Sequence, residues 1–457
     1  MPTPLTNDAD ASTSGSILAR PYALTTIGTF ALVFFSAFEA LAVTTVMPTV
    51  ARELDGVRLY ALAFAAPLAS GVIGMVTTGW WSDRRGPIRP LTVSIALFAL
   101  GLLVAGLAPT MPLLVVGRLV QGLGAGGLTV GLYVVVGKVF PGHLQPAVFA
   151  SFAAAWVLPS LIGPSIAAWV SHLVGWRWVF LGVVALVAAA TALILPALRA
   201  LPPGDTSTPS RGTAARLGWA VLAAVAVLAL GLGGGGPKGL AISALAGVVV
   251  LVAVTSLVPR GTLLARRGLP SVVLTRGALS GGFFAAEAYL PFVLQERWGW
   301  SPAAAGGGLA AAGLSWALAS QAQAKLGARL SDTAAMRWGA ATLAVSAVGL
   351  RATVAFHPPA GLLVAAYGVG AAGMGFGYPR TSVATLAVST DADRGFNSAS
   401  LSIADSLGGA LALAICGVVF ATAGDEPFGA VFVVAIAWSV LAALAAVRTS
   451  RPVEPVA

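Results

Sequence analysis

The stretch Gly79-Trp80-Trp81-Ser82-Asp83-Arg84-Arg85-Gly86-Pro87-Ile88-Arg89-Pro90-Leu91 is a short polar knot in a very apolar sequence. The residues before it, 59–79, and after it, 91–107, are apolar, and each flank has about 20 residues, enough to cross a bilayer as a helix. The stretch is therefore predicted to be a tight turn between two membrane spans. Its arginines mark the side that stays in the cytoplasm. Asp83 falls at the end of the first helix, where the helix dipole disfavours an anion, so we expect it to have a partner.

The composition is that of a polytopic membrane protein. The 457 residues are 58% hydrophobic and 9% charged, with a mean hydropathy of +0.90, whereas a soluble globular protein is about 25% charged. The formal net charge of +10 is explained by arginines at the ends of spans rather than by a nucleic-acid-binding surface. A single cysteine, Cys416, excludes an internal disulfide and a multi-cysteine metal site.

The apolar runs predict about fourteen spans, arranged as six, two and six. They lie at about 24–48, 59–81, 90–108, 111–138, 145–170, 177–198, 216–235, 239–258, 271–296, 303–325, 338–356, 360–385, 396–422 and 428–447. The predicted parts of the chain are a disordered cytoplasmic tail (1–23), an N-terminal six-helix bundle (24–198), a cytoplasmic linker (199–215), two inserted transmembrane helices (216–258), a C-terminal six-helix bundle (271–447) and a cytoplasmic tail (448–457).

The charge distribution orients these spans. With the N-terminus inside, alternation places about 19 of the 26 Lys and Arg residues at cytoplasmic span ends and about six at outer ends, and leaves Arg118 within a span. An odd number of spans before Asp83 would invert that bias. Both termini are therefore predicted to be cytoplasmic.

The two six-span halves share sequence features, which indicates an internal repeat. Phe38-Glu39-Ala40 in the first span has a counterpart in Ala286-Glu287-Ala288 of the ninth. The residues from Gly79 to Asp83 have a partial copy at 327–332, which is predicted to end the tenth span in the same way. A glycine-rich run at 122–127 likewise has an echo at 373–377.

Two carboxylates lie deep within predicted spans, Glu39 past the middle of the first and Glu287 at a similar depth in the ninth. Ionised groups at such depth are rare and usually functional. Burial favours the neutral form of a carboxyl group, so either residue could take up and release a proton. Two such residues suit proton coupling, recognition of a cationic substrate, or both. The alternative for each is a structural hydrogen bond to a neighbouring helix.

Arg118 in the fourth span is a charge that it cannot usefully lose. It requires a wet cavity or a partner, and it can neutralise a nearby carboxylate. The alternative is that its side chain extends to the outer headgroups. Asp405, near the cytoplasmic third of the thirteenth span, is expected either to line the cavity or to pair with a loop arginine such as Arg84.

Several motifs resemble those of the major facilitator superfamily of secondary transporters. The polar knot resembles its loop motif G-x-L-A-D-R-x-G-R-K, with Gly79, Asp83, Arg84 and Gly86 in register. The run Arg118-Leu119-Val120-Gln121-Gly122-Leu123-Gly124 resembles the R-x-x-Q-G-x-G motif of proton-coupled members. In the fifth span, Pro159, Gly163 and Pro164 partly match a motif of antiporter members, and a Gly-Pro pair there is expected to kink the helix and let another pack close. The knot departs from the loop motif at Trp81, Ser82, Pro87 and Ile88.

This resemblance implies an all-α membrane protein with the major facilitator fold, in which two six-helix bundles enclose a site and two further helices are inserted between them. The candidate site residues fall into three groups. They are a proton-coupling or substrate cavity (Glu39, Glu287, Arg118, Gln121, Asp405), a conformational switch loop (Gly79, Asp83, Arg84, Gly86, Arg89) and the helix-kink motif (Pro159, Gly163, Pro164). By the same resemblance, Asp83 would dock on the start of the thirteenth span, near Asn397 and Ser398, when the outside is open.

The leading hypothesis is a proton-coupled antiporter that exports hydrophobic or amphipathic small molecules, similar to the fourteen-span drug-proton antiporters. The alternative keeps the fold and exports a cell-envelope lipid or metabolite. An intramembrane enzyme would need a nucleophile–base pair or a metal cluster within the spans, and no predicted span contains a histidine. We expect no cofactor and no nucleic-acid partner, a proton gradient as the driving force, contact with membrane lipids, a monomer, and a bacterial plasma membrane as its location.

Overall fold

The computed structural model describes residues 16–450 apart from 21, 200–212, 235, 391 and 392. Within these residues the chain forms fourteen helices that are long and apolar enough to cross a membrane. The first six are α1 (Ala23–Glu53), α2 (Tyr60–Arg85), α3 (Ile88–Gly106), α4 (Met111–Val139), α5 (Gln145–Val174) and α6 (Arg177–Arg199). The next two are α7 (Thr213–Leu232) and α8 (Pro237–Leu257). The last six are α9 (Leu269–Trp298), α10 (Pro302–Leu326), α11 (Asp332–Phe356), α12 (Ala360–Val388), α13 (Arg394–Thr422) and α14 (Pro427–Ala446).

These helices confirm the prediction of fourteen spans in an all-α membrane fold. The two largest differences between the predicted span boundaries and the observed helices lie at the end of α1 and the start of α11. α1 continues past Pro48 to Glu53, because a proline removes one hydrogen bond without ending the helix here. α11 begins six residues early, at Asp332, because the hydroxyl of Ser331 accepts a hydrogen bond from the backbone nitrogen of Ala334 at 3.2 Å and caps the helix.

Most of the polar knot is helical, so the predicted tight turn is confined to its middle. α2 continues through Asp83 to Arg85, and only Gly86 and Pro87 separate it from α3. Gly86 has a φ of 76°, a conformation that suits glycine. Asp83 therefore lies on the last turn of a helix, as expected.

The partial copy of this loop in the second half is built differently, and the prediction that it ends the tenth span in the same way is wrong. α10 ends at Leu326, and Gly327 follows with a φ of 51°. Asp332 is the first residue of α11 rather than the end of α10. Its carboxylate therefore lies at a helix N-terminus, where the helix dipole favours an anion.

Glycines allow close helix pairs within each half. In the first half α4 packs on α2 so tightly that a Cβ on Gly126 would overlap the backbone of Gly71. In the second half α11 and α12 meet in the same way, since a Cβ on Gly339 would lie 2.6 Å from the carbonyl oxygen of Gly373. Small residues at such crossings are typical of membrane helices, which associate by close packing.

The halves meet along two seams, α2 with α13 and α5 with α10. We call the two ends of the bundle the Asp83 end and the Arg52 end after the residues that they carry. At the Arg52 end, Arg52 of α1 donates hydrogen bonds to Glu296 at 2.8 Å and Gln295 at 2.7 Å, both on α9. The hydroxyl of Tyr60 donates to the carbonyl of Ala288 at 2.5 Å. Aromatic rings from both halves fill the space around this bond (Tyr60, Phe64, Tyr289, Phe292, Phe420 and Phe428). The halves are therefore closed at the Arg52 end.

The inserted pair α7 and α8 covers one seam. α7 packs against both α2 and α13, with Ala220 and Ala223 in one apolar cluster with Val72 and Leu407. The hydroxyl of Ser400 in α13 also donates to the backbone carbonyl at the end of α8, at 3.3 Å. The α2–α13 seam is thus braced from outside the bundle.

The predicted tails and linker fall largely outside the described residues. These are the N-terminal tail 1–23, of which 1–15 are not described, the linker 199–215 and the C-terminal tail 448–457. The segment boundaries predicted there stay predictions.

Candidate functional site

Glu39 of α1 and Arg118 and Gln121 of α4 meet in the interior of the first half. Arg118 donates from Nη1 to one carboxylate oxygen of Glu39 and, at 2.5 Å, to the amide oxygen of Gln121. Gln121 in turn donates from Nε2 to the other carboxylate oxygen of Glu39 at 2.5 Å. The three residues are only 2%, 4% and 2% exposed, respectively. They form a closed ring in which both carboxylate oxygens of Glu39 have a donor.

A backbone carbonyl of α2, left free by a proline, makes the next contact with this ring. Arg118 donates from Nε to the backbone carbonyl of Ala63 at 3.0 Å. In an uninterrupted helix that carbonyl would accept from the backbone four residues later, but Pro67 occupies that position and has no N–H. The free carbonyl therefore becomes a fixed acceptor that orients the guanidinium.

This geometry decides between the alternatives for Arg118. Extension to the headgroups is wrong, because the residue is buried and paired with Glu39. Glu39 accepts hydrogen bonds from α4, which is the structural role that the sequence analysis gave as the alternative to proton transfer. Its part in proton transfer stays a prediction.

Glu287 of α9 has a different environment from Glu39, although the two occupy corresponding positions in the halves. It is 9% exposed, and no described residue forms a hydrogen bond or ion pair with its carboxylate. Phe283, one turn earlier on the same helix face, stacks on Tyr367 of α12 at 5.5 Å between ring centroids. Glu287 is therefore an unpaired carboxylate beside aromatic rings.

A second charged cluster lies in the second half, nearer the Asp83 end. Asp405 of α13 accepts from Arg276 Nε of α9 at 2.9 Å and from the hydroxyl of Tyr378 of α12 at 2.9 Å. The guanidinium of Arg276 also lies over the ring of Tyr378, 3.3 Å from its centroid. Of the two alternatives for Asp405, pairing with a loop arginine such as Arg84 is thus wrong, and lining the cavity stays a prediction. Its side chain is 20% exposed, so solvent can reach part of it.

Arg276 and Tyr378 are members of this cluster that the sequence analysis missed. Arg276 falls near the beginning of α9, so it resembles an ordinary basic residue at a span end. The available signal is its distance from the helix start, because about two turns of α9 precede it. A charge that deep in a span indicates a partner, and Asp405 within α13 is a candidate of opposite sign.

The predicted switch loop lies at the Asp83 end. Asp83 is exposed and has no hydrogen bond or ion pair among the described residues, and Lys138 of α4 is within electrostatic range. Arg84 lies over the ring of Trp80 at 4.6 Å, while Arg89 is exposed at the start of α3. Gly79 has room around it, with one side-chain atom 3.8 Å from a Cβ placed there. The direct partner expected for Asp83 is thus absent from this conformation.

At the predicted docking point of Asp83, the start of α13, Asn397 has another hydrogen-bond partner. Asn397 of α13 donates from Nδ2 to the hydroxyl of Ser389 at 2.9 Å. In the second half, by contrast, Asp332 is held by Arg380 at 3.0 Å, whose Nε also donates to the amide oxygen of Gln323 at 2.5 Å.

The helix-kink residues lie where α5 packs against two other helices: Pro164 faces α10, and Gly163 faces Phe38 and Leu41 of α1. Pro159, Gly163 and Pro164 lie within α5, which continues as one helix from Gln145 to Val174. A Cβ on Gly306 of α10 would be 3.1 Å from the carbonyl oxygen of Pro164. Helix α10 therefore packs closely on this part of α5, in line with the expectation of tight packing.

Within the described ranges, no group of three or more His, Cys, Asp or Glu residues is arranged to hold a metal ion.

Comparison with known proteins identifies the family. The Major Facilitator Superfamily profile matches residues 29–379. A probable multidrug-efflux transporter of Mycobacterium tuberculosis is 30% identical over 463 aligned residues, which cover 95% of each chain. An MFS efflux transporter of Aspergillus oryzae is 34% identical over 148 residues, covering 32% of this chain and 27% of that one. The chain belongs to the Major Facilitator Superfamily.

Solved structures agree on the fold. A POT family transporter in complex with 5-aminolevulinic acid superposes with a TM-score of 0.67 at 15% identity, covering 93% of this chain and 94% of that one. A D-xylose-proton symporter gives the same TM-score and identity and covers 94% and 97% of the two chains. The protein is thus a multi-pass membrane transporter of this superfamily.

Proposed function

We propose that the protein is a proton-coupled antiporter that exports hydrophobic or amphipathic small molecules. The observation that carries the proposal is a buried carboxylate at corresponding positions of the two halves, Glu39 in α1 and Glu287 in α9, within spans that are otherwise apolar. Such groups mark proton and substrate pathways in transporters. The name of the Mycobacterium tuberculosis relative supports export of drug-like molecules.

Transport would proceed by alternating access, with the halves rocking against each other around a central site. The conformation described here is closed at the Arg52 end. If that end faces outward in a bacterial plasma membrane, as the arginine distribution predicts, both termini are cytoplasmic and this form is closed to the outside. The driving force is the proton gradient, so no cofactor is needed.

Charge neutralisation would link proton and substrate. A carboxylate in an apolar interior is stabilised by a proton, by a bound cation or by a basic residue. A substrate that competes with protons for such a group is exchanged against them. Exchange of protons for substrate would thus have its physical origin in the carboxylates themselves.

Proton movement in proteoliposomes tests the proposal. The full-length protein is reconstituted with a pH-sensitive dye inside, and a gradient of tetraphenylphosphonium is imposed across the membrane. We expect wild type to move protons against the substrate, and Glu39→Gln, Glu287→Gln and the double variant to lose most of this flux. Asp425→Asn, which changes an exposed loop carboxylate of the second half, is the control that should retain it.

Unchanged flux in both single variants and in the double variant would refute the mechanism. Export of a cell-envelope lipid or metabolite is the alternative on the same fold. It would be supported instead if a panel of lipids drives proton flux and a panel of drugs does not.

A further inference from the structure

The connector between α8 and α9, residues 259–268, carries positive charge that no described residue neutralises. Arg260, Arg266 and Arg267 are exposed, and their side chains take part in none of the ion pairs or hydrogen bonds within the described ranges. The chain has no acidic residue from position 206 to position 286. The connector is therefore a local source of positive potential.

This connector lies where the chain leaves the bilayer. It joins the end of α8 at Leu257 to the start of α9 at Leu269, and both helices are long and apolar enough to span a membrane. Because α9 carries Glu296 to the Arg52 end, its start and the connector lie at the Asp83 end. The last turns of α8 expose apolar side chains, with Leu251 47% and Val252 51% exposed. The connector thus continues a surface that faces lipid.

Two leucines of the connector are exposed beside its arginines. Leu263 is 39% and Leu264 69% exposed. Exposed leucines are unfavourable in water, whereas at a bilayer surface they enter the acyl boundary while arginines stay at the depth of the headgroups. Apolar and basic side chains are thus combined as in a segment that lies on a membrane.

The connector is held in place by the end of α14. The backbone nitrogen of Gly268 donates to the carbonyl of Arg448 at 3.1 Å, and the hydroxyl of Ser271 donates to the carbonyl of Ala445 at 2.5 Å. Within the connector, the hydroxyl of Thr262 donates to the carbonyl of Pro259 at 2.6 Å. Its side chains are therefore presented from a fixed backbone.

A groove lies between the end of α8 and this backbone, with a volume of about 180 Å³. Arg260 and both exposed leucines, Leu263 and Leu264, line it. Arg266 packs over Gly261, another lining residue, so closely that a Cβ on that glycine would overlap its side chain. The groove thus has basic residues and an apolar wall next to each other.

We propose that the connector binds the headgroup of an anionic phospholipid in the leaflet at the Asp83 end. The phosphate lies among Arg260, Arg266 and Arg267, because guanidinium groups bind phosphate oxygens in pairs. The acyl chains lie against Leu263 and Leu264. A soluble anion would account for the arginines and leave the exposed leucines without a role, so the lipid fits both observations.

Local quenching in nanodiscs tests the site. A bimane fluorophore is attached to Leu264→Cys in the full-length protein carrying Cys416→Ala, and nanodiscs of fixed total charge contain doxyl-labelled phosphatidylglycerol or doxyl-labelled phosphatidylcholine. We expect phosphatidylglycerol to quench about threefold more strongly than phosphatidylcholine. Arg266→Gln/Arg267→Gln should bring that ratio close to one, and Arg260→Gln alone should lower it.

Lys325→Gln/Arg329→Gln is the matched control. It removes two exposed cations that follow α9 at the same end of the bundle and lie outside the connector, so it should keep the ratio. Unlabelled protein in detergent gives a second readout. Phosphatidylglycerol should raise the melting temperature of wild type and of the control variant, and should raise that of Arg266→Gln/Arg267→Gln much less.

Three results would overturn the proposal. They are equal quenching by the two lipids, an equal loss of selectivity in Lys325→Gln/Arg329→Gln, and displacement of phosphatidylglycerol by millimolar inorganic phosphate, which would indicate a site for a soluble anion. A label that neither lipid quenches would also refute it, because the connector would then lie away from the membrane. Arg260→Gln keeps the test decisive if the double arginine variant fails to fold.

Discussion

The Glu39–Arg118 pair illustrates how a buried ion pair constrains its own residues. Removing two charges from water is expensive, and the pair is tolerated because Gln121 and the Ala63 carbonyl satisfy the remaining groups. Removal of one partner is therefore worse than removal of both, because it leaves an uncompensated buried charge.

Glu39→Gln should lower the free energy of unfolding by about 3–5 kcal/mol, because Arg118 then has no counter-charge. The double variant Glu39→Leu/Arg118→Met should recover much of that loss. Thermal or denaturant unfolding of the purified protein in detergent measures both. Glu287→Gln is the matched control and should cost little, because no pairing partner is lost. Equal destabilisation by the two glutamine substitutions would contradict this account.

The sequence identifies these charged residues but not their pairing. Glu39, Arg118 and Glu287 stand out because charges within apolar runs are conspicuous. Which helix faces meet cannot be deduced, because α1 and α4 are apolar on all sides and have no polar face to orient them. For the same reason the contrast between a paired Glu39 and an unpaired Glu287 required the structure. Arg276 escaped notice because its position near a span end matches an ordinary basic flank.

At the scale of the helix, Pro67 acts on α4 through the backbone of α2. Because Pro67 has no N–H, the Ala63 carbonyl lacks its donor within α2, and Arg118 donates to that carbonyl instead. A proline inside a span is thus a means of presenting a carbonyl to a neighbouring helix.

Pro67→Ala should restore the internal hydrogen bond of α2 and compete with Arg118 for the Ala63 carbonyl. We expect the variant to fold and to show weaker substrate-driven proton flux in proteoliposomes. Pro196→Ala, at an exposed proline of α6, is the control and should transport normally. Normal flux in Pro67→Ala would show that the freed carbonyl is dispensable.

The glycines of α4 differ in how much space surrounds them, although the sequence shows one glycine-rich run. A Cβ on Gly126 would overlap the backbone of Gly71, whereas Gly137 has nothing within 4 Å of the same atom. Gly126→Ala should destabilise the protein by about 1–3 kcal/mol, because the α2–α4 pair must separate. Gly137→Ala in the same helix should be neutral or slightly stabilising. Melting temperatures of the two variants in detergent test the contrast, and equal values would contradict it.

Helix existence follows from the sequence much better than helix ends. The polar knot was correctly predicted to join two spans, because few charges are tolerated inside a bilayer. The continuation of α2 to Arg85 depends on helical hydrogen bonding that polarity does not reveal. The different construction at Asp332 depends on the φ of Gly327 and the cap at Ser331, which the similarity to the residues from Gly79 to Asp83 conceals.

For the whole molecule, the unpaired state of Asp83 accompanies closure at the Arg52 end. The resemblance to the superfamily motif implies that Asp83 docks on α13 in the opposite state. Because that contact is absent here, removing the charge of Asp83 should destabilise the conformation that is open at the Arg52 end. The conformation described here should be unaffected.

Asp83→Asn should therefore shift the balance toward closure of the Arg52 end without impairing membrane insertion. A cysteine at Ala61, which packs against Gly417 across the seam, reports opening of that end in a variant lacking Cys416. We expect a water-soluble maleimide to label it more slowly in Asp83→Asn than in the parent. Asp425→Asn is the control and should label at the parental rate. Labelling of Asp83→Asn at the parental rate would show that Asp83 does not influence the equilibrium.

The inserted helices make the two flanks of the bundle unequal. α7 touches α2 of one half and α13 of the other, so these contacts resist separation of the halves on that side. If the halves rock as proposed, these contacts would place the hinge at this flank and the widest opening at the other, between α5 and α10. A solute dissolved in the surrounding lipid would meet the interior from a single direction. Viewed along the membrane normal, the transporter would thus have one flank covered by the inserted helices and one open to lipid. Two six-helix halves alone would not provide this asymmetry.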